Sequence, residues 1–385
     1  MRLHQILEKY IPLVSNMLFP LLVFSVGLLA FLISGGFAYD SAKILHWCFY
    51  LISFISLVTL LNFNQSRSLF LMAIILLSYV IINYLKKRLG IDFKTSILYQ
   101  NLAMLLPFNF LFFYIFPKHR FISRQSLVLL FLILIEYSFC EFAIRWNLVL
   151  DIMWNNIGVI SAIGAFILII TALFNSIKKG DLFDYTVLFS FLSVMSGFYF
   201  SNSSSGISLF FFFAQFLLSA YLIYTLVYNH YYDENTGFYS RNSYLIQSKH
   251  FPLKYRLGIV SIDNYDKLLK TVGSRKQKII NELIADVIQS MAPEEVIYRY
   301  AADQFIILYK RFDKKEAFKH IEEIRREIAG VEFEYSPTQK AIKLTVSCSI
   351  AEKKRSDIDA VEVLMRADKA MRKTLKFSHN VTSQG

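Results

Sequence analysis

Cysteine is scarce in this chain: only Cys48, Cys140 and Cys348 occur among 385 residues. No CxxC pair and no His/Cys spacing typical of a zinc ligand set is present, which excludes a disulfide framework and a zinc site. The first two cysteines fall in apolar runs and the third in a strand-like stretch. We therefore expect small buried side chains at all three positions, and the sequence predicts neither a metal nor a cofactor.

Charged residues are also few. They make up 18% of the chain, against 55% hydrophobic and 16% aromatic residues, including 37 Phe. This composition is too apolar for an ordinary soluble protein and is typical of a membrane protein. The formal net charge is +12. Because no basic stripe is interleaved with aromatic residues, a nucleic-acid partner is excluded. No repeat, arginine-rich sensor helix or filter sequence indicates a channel.

The first part of the chain contains eight stretches that could cross a bilayer, which takes about 17–25 mostly apolar residues. These stretches are residues 11–39, 44–63, 69–85, 97–116, 125–144, 157–177, 185–200 and 207–228. Spans must be helical, because lipid satisfies no backbone hydrogen bonds. The first stretch is too long for a signal peptide and has no small-residue cleavage site after it. The sequence predicts an all-α polytopic transmembrane bundle over residues 1–230.

The number of spans determines the orientation of the bundle. Eight spans place both termini inside, with eight Lys and Arg residues inside and six outside, which is a weak positive-inside bias. The fourth stretch is the most polar and contains Gln100, Asn101, Pro107 and Asn109. If this stretch re-enters the membrane rather than spanning it, the N-terminus lies outside. Ten Lys and Arg residues then lie inside and four outside. Eight is the working number, and the re-entrant alternative stays open.

Two acids lie in the fifth stretch. Ionisable side chains at membrane depth are costly and are functional candidates by default. Glu141 has a partner one helical turn on, Arg145, so this pair is interpreted as structural. Glu136 has no local partner and is the intramembrane candidate. It either binds a ligand or proton, or accepts a hydrogen bond from a neighbouring helix.

The second part of the chain alternates between strand and helix patterns. Strands are predicted at residues 257–262, 296–300, 304–309 and 342–350, and the second and third flank a tight turn. Helices are predicted at residues 276–291, 314–329 and 359–377, with Asp357 or Asp359 as the cap of the last. This order predicts an α/β sheet with helices packed against it.

Four spaced motifs, at residues 233–241, 261–270, 299–305 and 367–380, resemble motifs of one family. Residues 299–305 read RYAADQF, which resembles the RYGGDEF hairpin of the GGDEF family, the diguanylate cyclase fold. Residues 233–241 read DENTGFYSR and are similar to the opening of that family, D-x-L-T-G-L-x-N-R. The resemblance covers about residues 231–382, so a GGDEF-like domain is predicted for residues 231–385.

The resemblance implies that the metal site is lost. Ala301 and Ala302 replace the two turn glycines, and we expect their Cβ atoms to resist the turn and to crowd a phosphate. Asp303 and Phe305 are kept, but Gln304 replaces the second acid. The metal-binding Asp at the end of the preceding strand is replaced by Ser261. A single carboxylate is a poor magnesium site.

The resemblance also implies that the contacts to guanine and phosphate are lost. The guanine-binding Asn corresponds to Leu269 and the guanine-reading Asp to Lys278. The phosphate-binding Lys and Arg of the last helix correspond to Leu375 and His379. In the family's inhibitory RxxD motif, the matching positions are Ala292 and Glu295, so the Arg that would clasp a guanine or phosphate is absent.

Together these observations predict a protein of the inner cytoplasmic membrane that is not an enzyme. Its degenerate GGDEF domain would lie in the cytoplasm. It would act as a regulatory or scaffold subunit, as a homodimer through the GGDEF-like domain or in a hetero-complex with a membrane protein. The resemblance implies a setting in cyclic di-GMP signalling, exopolysaccharide or biofilm control. The loss of the base contacts counts against nucleotide binding.

Three alternatives stay open at this point. The first is a receptor for a guanine nucleotide or cyclic di-GMP with a remodelled site. The second is an active diguanylate cyclase whose metal and base ligands come from other residues. The third is a transporter or enzyme housed in the membrane half, with Glu136 at its centre and the cytoplasmic domain as its regulator.

Overall fold

A computed structural model describes residues 2–34, 39–63, 66–90, 97–115, 153–154, 157–179, 181–201, 205–272, 274–333 and 342–385, and six positions between 128 and 146. The chain divides into two compact units, Met1–Thr225 and Leu226–Gly385. The first unit is helical and the second combines a sheet with helices.

The first unit contains long apolar helices. They are α1 (Arg2–Ser34), α2 (Tyr39–Phe63), α3 (Ser66–Leu89), α4 (Ile97–Ile115), α5 (Val159–Lys179), α6 (Leu182–Tyr199) and α7 (Gly206–Tyr231), with a two-residue hairpin of β1 (Met153–Trp154) and β2 (Ile157–Gly158) before α5. Within the described residues, six helices are long and apolar enough to cross a membrane: α1, α2, α3, α5, α6 and α7. This set is compatible with a multi-pass membrane protein.

The fourth and fifth predicted spans stand apart from these six. The fourth forms α4, one continuous helix of 19 residues with Pro107 inside it. At 1.5 Å per residue it is about 28 Å long, but it is not among the six helices that are long and apolar enough to cross a membrane. The fifth predicted span, with Glu136 and Glu141, lies outside the described residues apart from isolated positions. The total of eight therefore stays a prediction.

The second unit is built on a six-stranded mixed sheet. Its strands are β3 (Tyr239–Ser240), β4 (Arg256–Ile262), β5 (Val296–Ala301), β6 (Gln304–Tyr309), β9 (Val346–Glu352) and β10 (Thr382–Gln384), in the order β10-β9-β4-β6-β5-β3. The four central strands pair antiparallel, while both edge strands, β10 and β3, pair parallel to their neighbours. A separate pair is formed by β7 (Glu332–Phe333) and β8 (Ile342–Lys343).

Helices cover both faces of this sheet. They are α8 (Arg241–Gln247), α9 (Tyr265–Val272), α10 (Ser274–Met291), α11 (Lys314–Gly330) and α12 (Ala360–Leu375). Alternate residues of β4 point to opposite faces, as the period of a strand requires. Val260 and Ile262 belong to the core beneath α10 and α11, whereas Leu257 and Ile259 belong to the core beneath α8 and α12. The strand is therefore buried on both sides, which explains why its sequence is a continuous apolar run.

Most elements predicted for this unit are confirmed within one or two residues, including the β5–β6 hairpin and the cap of α12. The Asp359 carboxylate accepts hydrogen bonds from the amides of Val361 and Glu362. The single strand predicted for residues 342–350 is wrong. It is two strands, since β8 pairs with β7 and only β9 joins the main sheet. The break falls at Leu344 and Thr345, where the chain moves from one ladder to the other.

An ion pair at the start of α12 predicts a stability change in acid. Two nitrogens of the Arg366 guanidinium lie 2.7 and 2.9 Å from the buried carboxylate of Asp357. Hydrogen bonding to Arg366 lowers the pKa of Asp357 to about 2, against an unfolded-state value of about 3.9. The stabilisation is full above the unfolded pKa and is lost as the pH falls from about 4 to about 2, an effect of about 2 kcal/mol.

We therefore expect Asp357→Asn to lower the thermal midpoint at neutral pH and to flatten its fall between pH 4 and pH 2, as measured by calorimetry of the full chain in detergent. Glu294→Gln is the matched control, because Glu294 and Arg311 form an exposed pair at 3.2 Å and such pairs contribute little. Identical acid profiles for Asp357→Asn and the wild type would contradict this prediction.

Candidate functional site

The alanine hairpin forms a regular turn at one end of the sheet. Ala301 is paired with Gln304, and Ala302 and Asp303 make the two-residue turn between β5 and β6. Among the described residues, Asn264 and Asn380 are the non-glycine residues with positive φ, so both alanines have ordinary backbone angles. The expectation that their Cβ atoms resist the turn is therefore wrong. A register shift between Arg299 and Ala301 lets the strands close without glycine.

Arg299 holds this hairpin from inside. Its guanidinium lies 4.2 Å from the centre of the buried Phe305 ring and donates a hydrogen bond to the carbonyl oxygen of Ala302. Burial lowers the pKa of Arg299, yet the side chain finds aromatic and carbonyl partners within the hairpin. Two residues kept from the motif, Arg299 and Phe305, therefore stabilise the turn and have a structural role.

The turn lies beside the end of β4, where the metal position was predicted. Ser261 is paired with Gln304 in the sheet, and its hydroxyl donates to a carboxylate oxygen of Asp303 at 3.4 Å. The amide of Ile262 donates to the carbonyl oxygen of Asp303 at 2.9 Å. The structure thus brings together a hydroxyl, a carboxylate and an amide. No group of three or more His, Cys, Asp or Glu side chains that could hold a metal ion occurs among the described residues.

A second carboxylate close by, Asp263, is already occupied by protein donors. Its side chain is only 2% exposed. It accepts hydrogen bonds from the hydroxyls of Thr345 (2.8 Å) and Ser347 (2.7 Å) and from the amide of Asn380 (2.9 Å). His379, at the position of the family's phosphate Arg, has its Nδ1 atom 3.5 Å from the same carboxylate. Asp263 therefore joins β4, β9 and the segment before β10.

The positions predicted to have lost guanine contacts lie on α9 and α10. Leu269 belongs to α9, although its side chain lies outside the described residues. Lys278 is exposed on α10, and its ammonium group lies 3.7 Å from the carboxylate of Glu282, one turn further on. An exposed lysine paired along its own helix is an ordinary surface arrangement.

The two positions that correspond to the inhibitory motif, Ala292 and Glu295, are buried and partly buried, respectively. Ala292 is buried beneath α10 and α11, where it packs in the same cluster as Ile288 and Ile297. The amide of Glu295 donates to the carbonyl oxygen of Ala292 at 3.3 Å. Burial raises the pKa of Glu295. A buried methyl group and a partly buried carboxyl provide no cationic contact for a phosphate at this place.

In the first unit, Glu136 lies outside the described residues, so its prediction is untested. The structure instead contains an acid that the sequence reasoning missed. Asp184, at the start of α6, is buried and accepts a hydrogen bond from the Tyr114 hydroxyl of α4 at 2.8 Å. Asn175 of α5 donates to the same hydroxyl at 3.0 Å. The available signal was an Asp one residue before the predicted seventh span.

Comparisons with known proteins identify the second unit. Residues 231–380 match the family model described as diguanylate cyclase, GGDEF domain. The chain therefore carries a GGDEF domain over these residues, and the predicted resemblance is confirmed for this part of the chain. No curated protein was found to match.

Several solved structures are similar to this part of the chain. The GGDEF domain of DgcB from Caulobacter crescentus, in complex with cyclic di-GMP, is 21% identical, with a TM-score of 0.37, and covers 40% of this chain and 95% of that one. The FimX GGDEF domain from Pseudomonas aeruginosa is 16% identical, with a TM-score of 0.37, and the match covers 40% of this chain and 99% of the FimX chain. The active GGEEF domain of a diguanylate cyclase from Vibrio cholerae is 20% identical, with a TM-score of 0.33, and the match covers 37% of this chain and 89% of the Vibrio chain.

Proposed function

We propose that this chain is a membrane-anchored GGDEF-domain protein without cyclase activity, which regulates a partner protein in cyclic di-GMP signalling through protein contact. The inner cytoplasmic membrane anchors the helical unit, and the GGDEF domain lies in the cytoplasm. Exopolysaccharide or biofilm control is the process in which such a regulator would act. The partner is a second copy bound through the GGDEF domain or another membrane protein.

One observation carries this proposal: the groups at the end of β4 and in the alanine turn. Ser261 and Gln304 are paired across neighbouring strands, and the Asp303 carboxylate beside them accepts the Ser261 hydroxyl. Magnesium in phosphoryl-transfer sites is held by carboxylates together with the substrate phosphates. A serine and a glutamine contribute no negative charge, so this corner of the sheet is poorly suited to a metal–triphosphate complex.

The other nearby groups have structural partners. The Asp263 carboxylate already accepts three hydrogen bonds, so it has little capacity left for a metal ion. Lys278 and Leu269 bring an ammonium group and an apolar side chain to the positions where the family reads guanine. A pocket that was built to hydrogen-bond a base loses most of its affinity when those partners are gone. These features support a regulator over both a nucleotide receptor and an active cyclase.

Calorimetric titration of the purified full chain tests the binding part of the proposal. We expect no saturable heat with GTP and Mg²⁺ or with cyclic di-GMP, at protein concentrations where a Kd of about 1 μM, or −8.2 kcal/mol, gives a complete isotherm. A cooperative thermal transition of the same sample serves as the control for folding. A saturable isotherm with one ligand per chain or per dimer would favour the receptor instead.

A further inference from the structure

The GGDEF domain exposes large apolar side chains at the end of the sheet opposite to the alanine turn. Leu253 is 92% exposed and Ile358 is 88% exposed. Leu253 lies in the loop before β4, and Ile358 lies just before α12. Exposed side chains of this size are unremarkable when isolated, but a cluster of them marks an interaction surface.

Several contacts place these residues on one surface. The amide of Lys353 donates to the carbonyl oxygen of Tyr255 at 3.1 Å, which joins the loop after β9 to the loop before β4. The Tyr244 hydroxyl of α8 donates to the carbonyl oxygen of Ala360 at 3.1 Å, and its ring lies 6.0 Å from that of Phe251. The two loops that carry Leu253 and Ile358 are therefore neighbours.

The apolar surface continues along α12. Val361 and Met365 are also exposed, Met365 by 65%. Val361 and Met365 are four residues apart in α12 and therefore lie on one face of that helix, while Ile358 precedes the cap residue Asp359. Four exposed apolar side chains therefore come from two neighbouring segments at this end of the domain. None of the four belongs to the cores on either face of the sheet.

Four exposed basic residues lie close in sequence to Leu253 and Ile358. Lys249, Lys254, Lys354 and Arg355 are exposed, and no ion pair joins them to an acid within the part of the chain that the structure describes. The acids between them serve the fold. The Asp357 carboxylate pairs with Arg366, and the Asp359 carboxylate caps α12. We call Leu253, Ile358, Val361 and Met365, together with these four basic residues, the basic apolar face.

We propose that the basic apolar face docks onto the surface of an anionic lipid bilayer. Apolar side chains surrounded by Lys and Arg are the composition that binds at the boundary between headgroups and acyl chains. Basic residues add attraction to anionic lipids, and this attraction falls off within a Debye length. A partner protein would have to match apolar and acidic groups at fixed places, whereas a bilayer presents both everywhere.

This inference adds a second membrane contact to the anchor of the proposed function. Helix α7 ends at Tyr231, and Leu253 follows soon after it in the chain. A domain tethered to a bilayer has a high effective concentration at its surface, so a weak contact suffices to dock it. A docked domain and an undocked one present different surfaces to a partner, and docking would therefore control when the regulator is available.

Lipid-borne quenching of a single fluorophore tests the proposal on the full chain. Cys48 and Cys140 are changed to Ser, while the buried Cys348 is retained. Leu253→Cys carries a nitrobenzoxadiazole label, and the protein is reconstituted into phosphatidylcholine vesicles containing doxyl-labelled lipid, with or without about a third of phosphatidylglycerol. Extraction with alkaline carbonate is scored separately. If alkaline carbonate removes the protein from the vesicles, the proposed membrane anchoring of the first unit is contradicted. The quenching result independently decides whether the basic apolar face docks.

Phe377→Cys is the matched control. Phe377 is 86% exposed and follows Lys376, but its segment leads to Asn380, whose amide contacts Asp263 at the other end of the sheet. In vesicles with phosphatidylglycerol we expect quenching at position 253 to exceed that at position 377 by at least about threefold. The triple variant Lys249→Glu/Lys254→Glu/Lys354→Glu and 1 M salt, where the Debye length is about 3 Å, are each expected to remove this difference.

Equal quenching at positions 253 and 377 would overturn the proposal. So would quenching at position 253 that is insensitive to both the lysine substitutions and phosphatidylglycerol. Protection of the label from iodide in detergent that rises with protein concentration would show that the occupant is a second copy of the chain.

Discussion

Purified full-length protein incubated with GTP and Mg²⁺ is expected to yield no detectable cyclic di-GMP by chromatography. Preorganised charge-stabilising groups each contribute about 10²–10³-fold to turnover. Ser261 and Gln304, which replace two acids of the GGDEF motifs, are paired in the sheet, and the Asp303 carboxylate accepts the Ser261 hydroxyl at 3.4 Å. Loss of both acids predicts a rate at least about 10⁴-fold below that of a cyclase with an intact site.

The variant Asp303→Ala makes this assay decisive. The Asp303 carboxylate accepts the Ser261 hydroxyl at 3.4 Å, so it is the first candidate for residual chemistry at this turn. Product from the wild type that disappears in Asp303→Ala would overturn the proposed inactivity. Product of equal amount from both proteins would come from a co-purifying cyclase. An active cyclase assayed in the same detergent gives the detection limit.

Local sequence patterns predicted much of the second unit. The β5–β6 hairpin and α11 were found within about a residue, because their apolar periods and the turn between the strands are local signals. Asp313 caps α11 through a capping box with Glu316, again over four consecutive residues. Where a structure depends on neighbours in the chain, the sequence alone is informative.

The sequence patterns did not predict strands and contacts that depend on residues far apart in the chain. The three-residue strand β10 has no periodic pattern and exists only because it pairs parallel to β9. The hydrogen bonds of Asp263 reach Thr345, Ser347 and Asn380, which are 82 to 117 residues away in the chain. The break between β8 and β9 likewise follows from pairing with β7. None of these contacts leaves a mark in the local sequence.

The site was predicted through motif positions, and here the structure changed one argument. Ala301 and Ala302 were expected to strain the turn, but a register shift at Arg299 allows an ordinary backbone. The alanines therefore do not destabilise the hairpin. The proposed inactivity therefore depends on the absence of a negative charge at Ser261 and Gln304. Asp184 was missed because an acid next to a predicted span reads as part of a loop.

The hydrogen bonds of Asp263 predict that this acid has a structural role and that its removal has a large effect on folding. Asp263→Ala removes a buried carboxylate and leaves the hydroxyls of Thr345 and Ser347 without their acceptor. The amide of Asn380 keeps only the Ser347 hydroxyl oxygen, at 3.1 Å. Leaving buried donors unsatisfied costs about 1–3 kcal/mol for each group. Allowing for partial relaxation, we expect the opening free energy of β9 to fall by about 3 kcal/mol.

Hydrogen exchange of the full chain measures this directly. A loss of about 3 kcal/mol corresponds to exchange of the β9 and β10 amides that is about 100-fold faster, since each 1.4 kcal/mol is a factor of ten. Asp303→Ala is the control: its carboxylate accepts one long hydrogen bond, 3.4 Å from Ser261, so exchange in β9 should change by less than about threefold. Comparable effects of the two substitutions would mean that Asp303 also holds the sheet together, and its retention would then be structural too. A slow exchange of β9 that survives Asp263→Ala would mean that water or a shifted side chain replaces the carboxylate. Either outcome would contradict a structural role for Asp263 that Asp303 does not share.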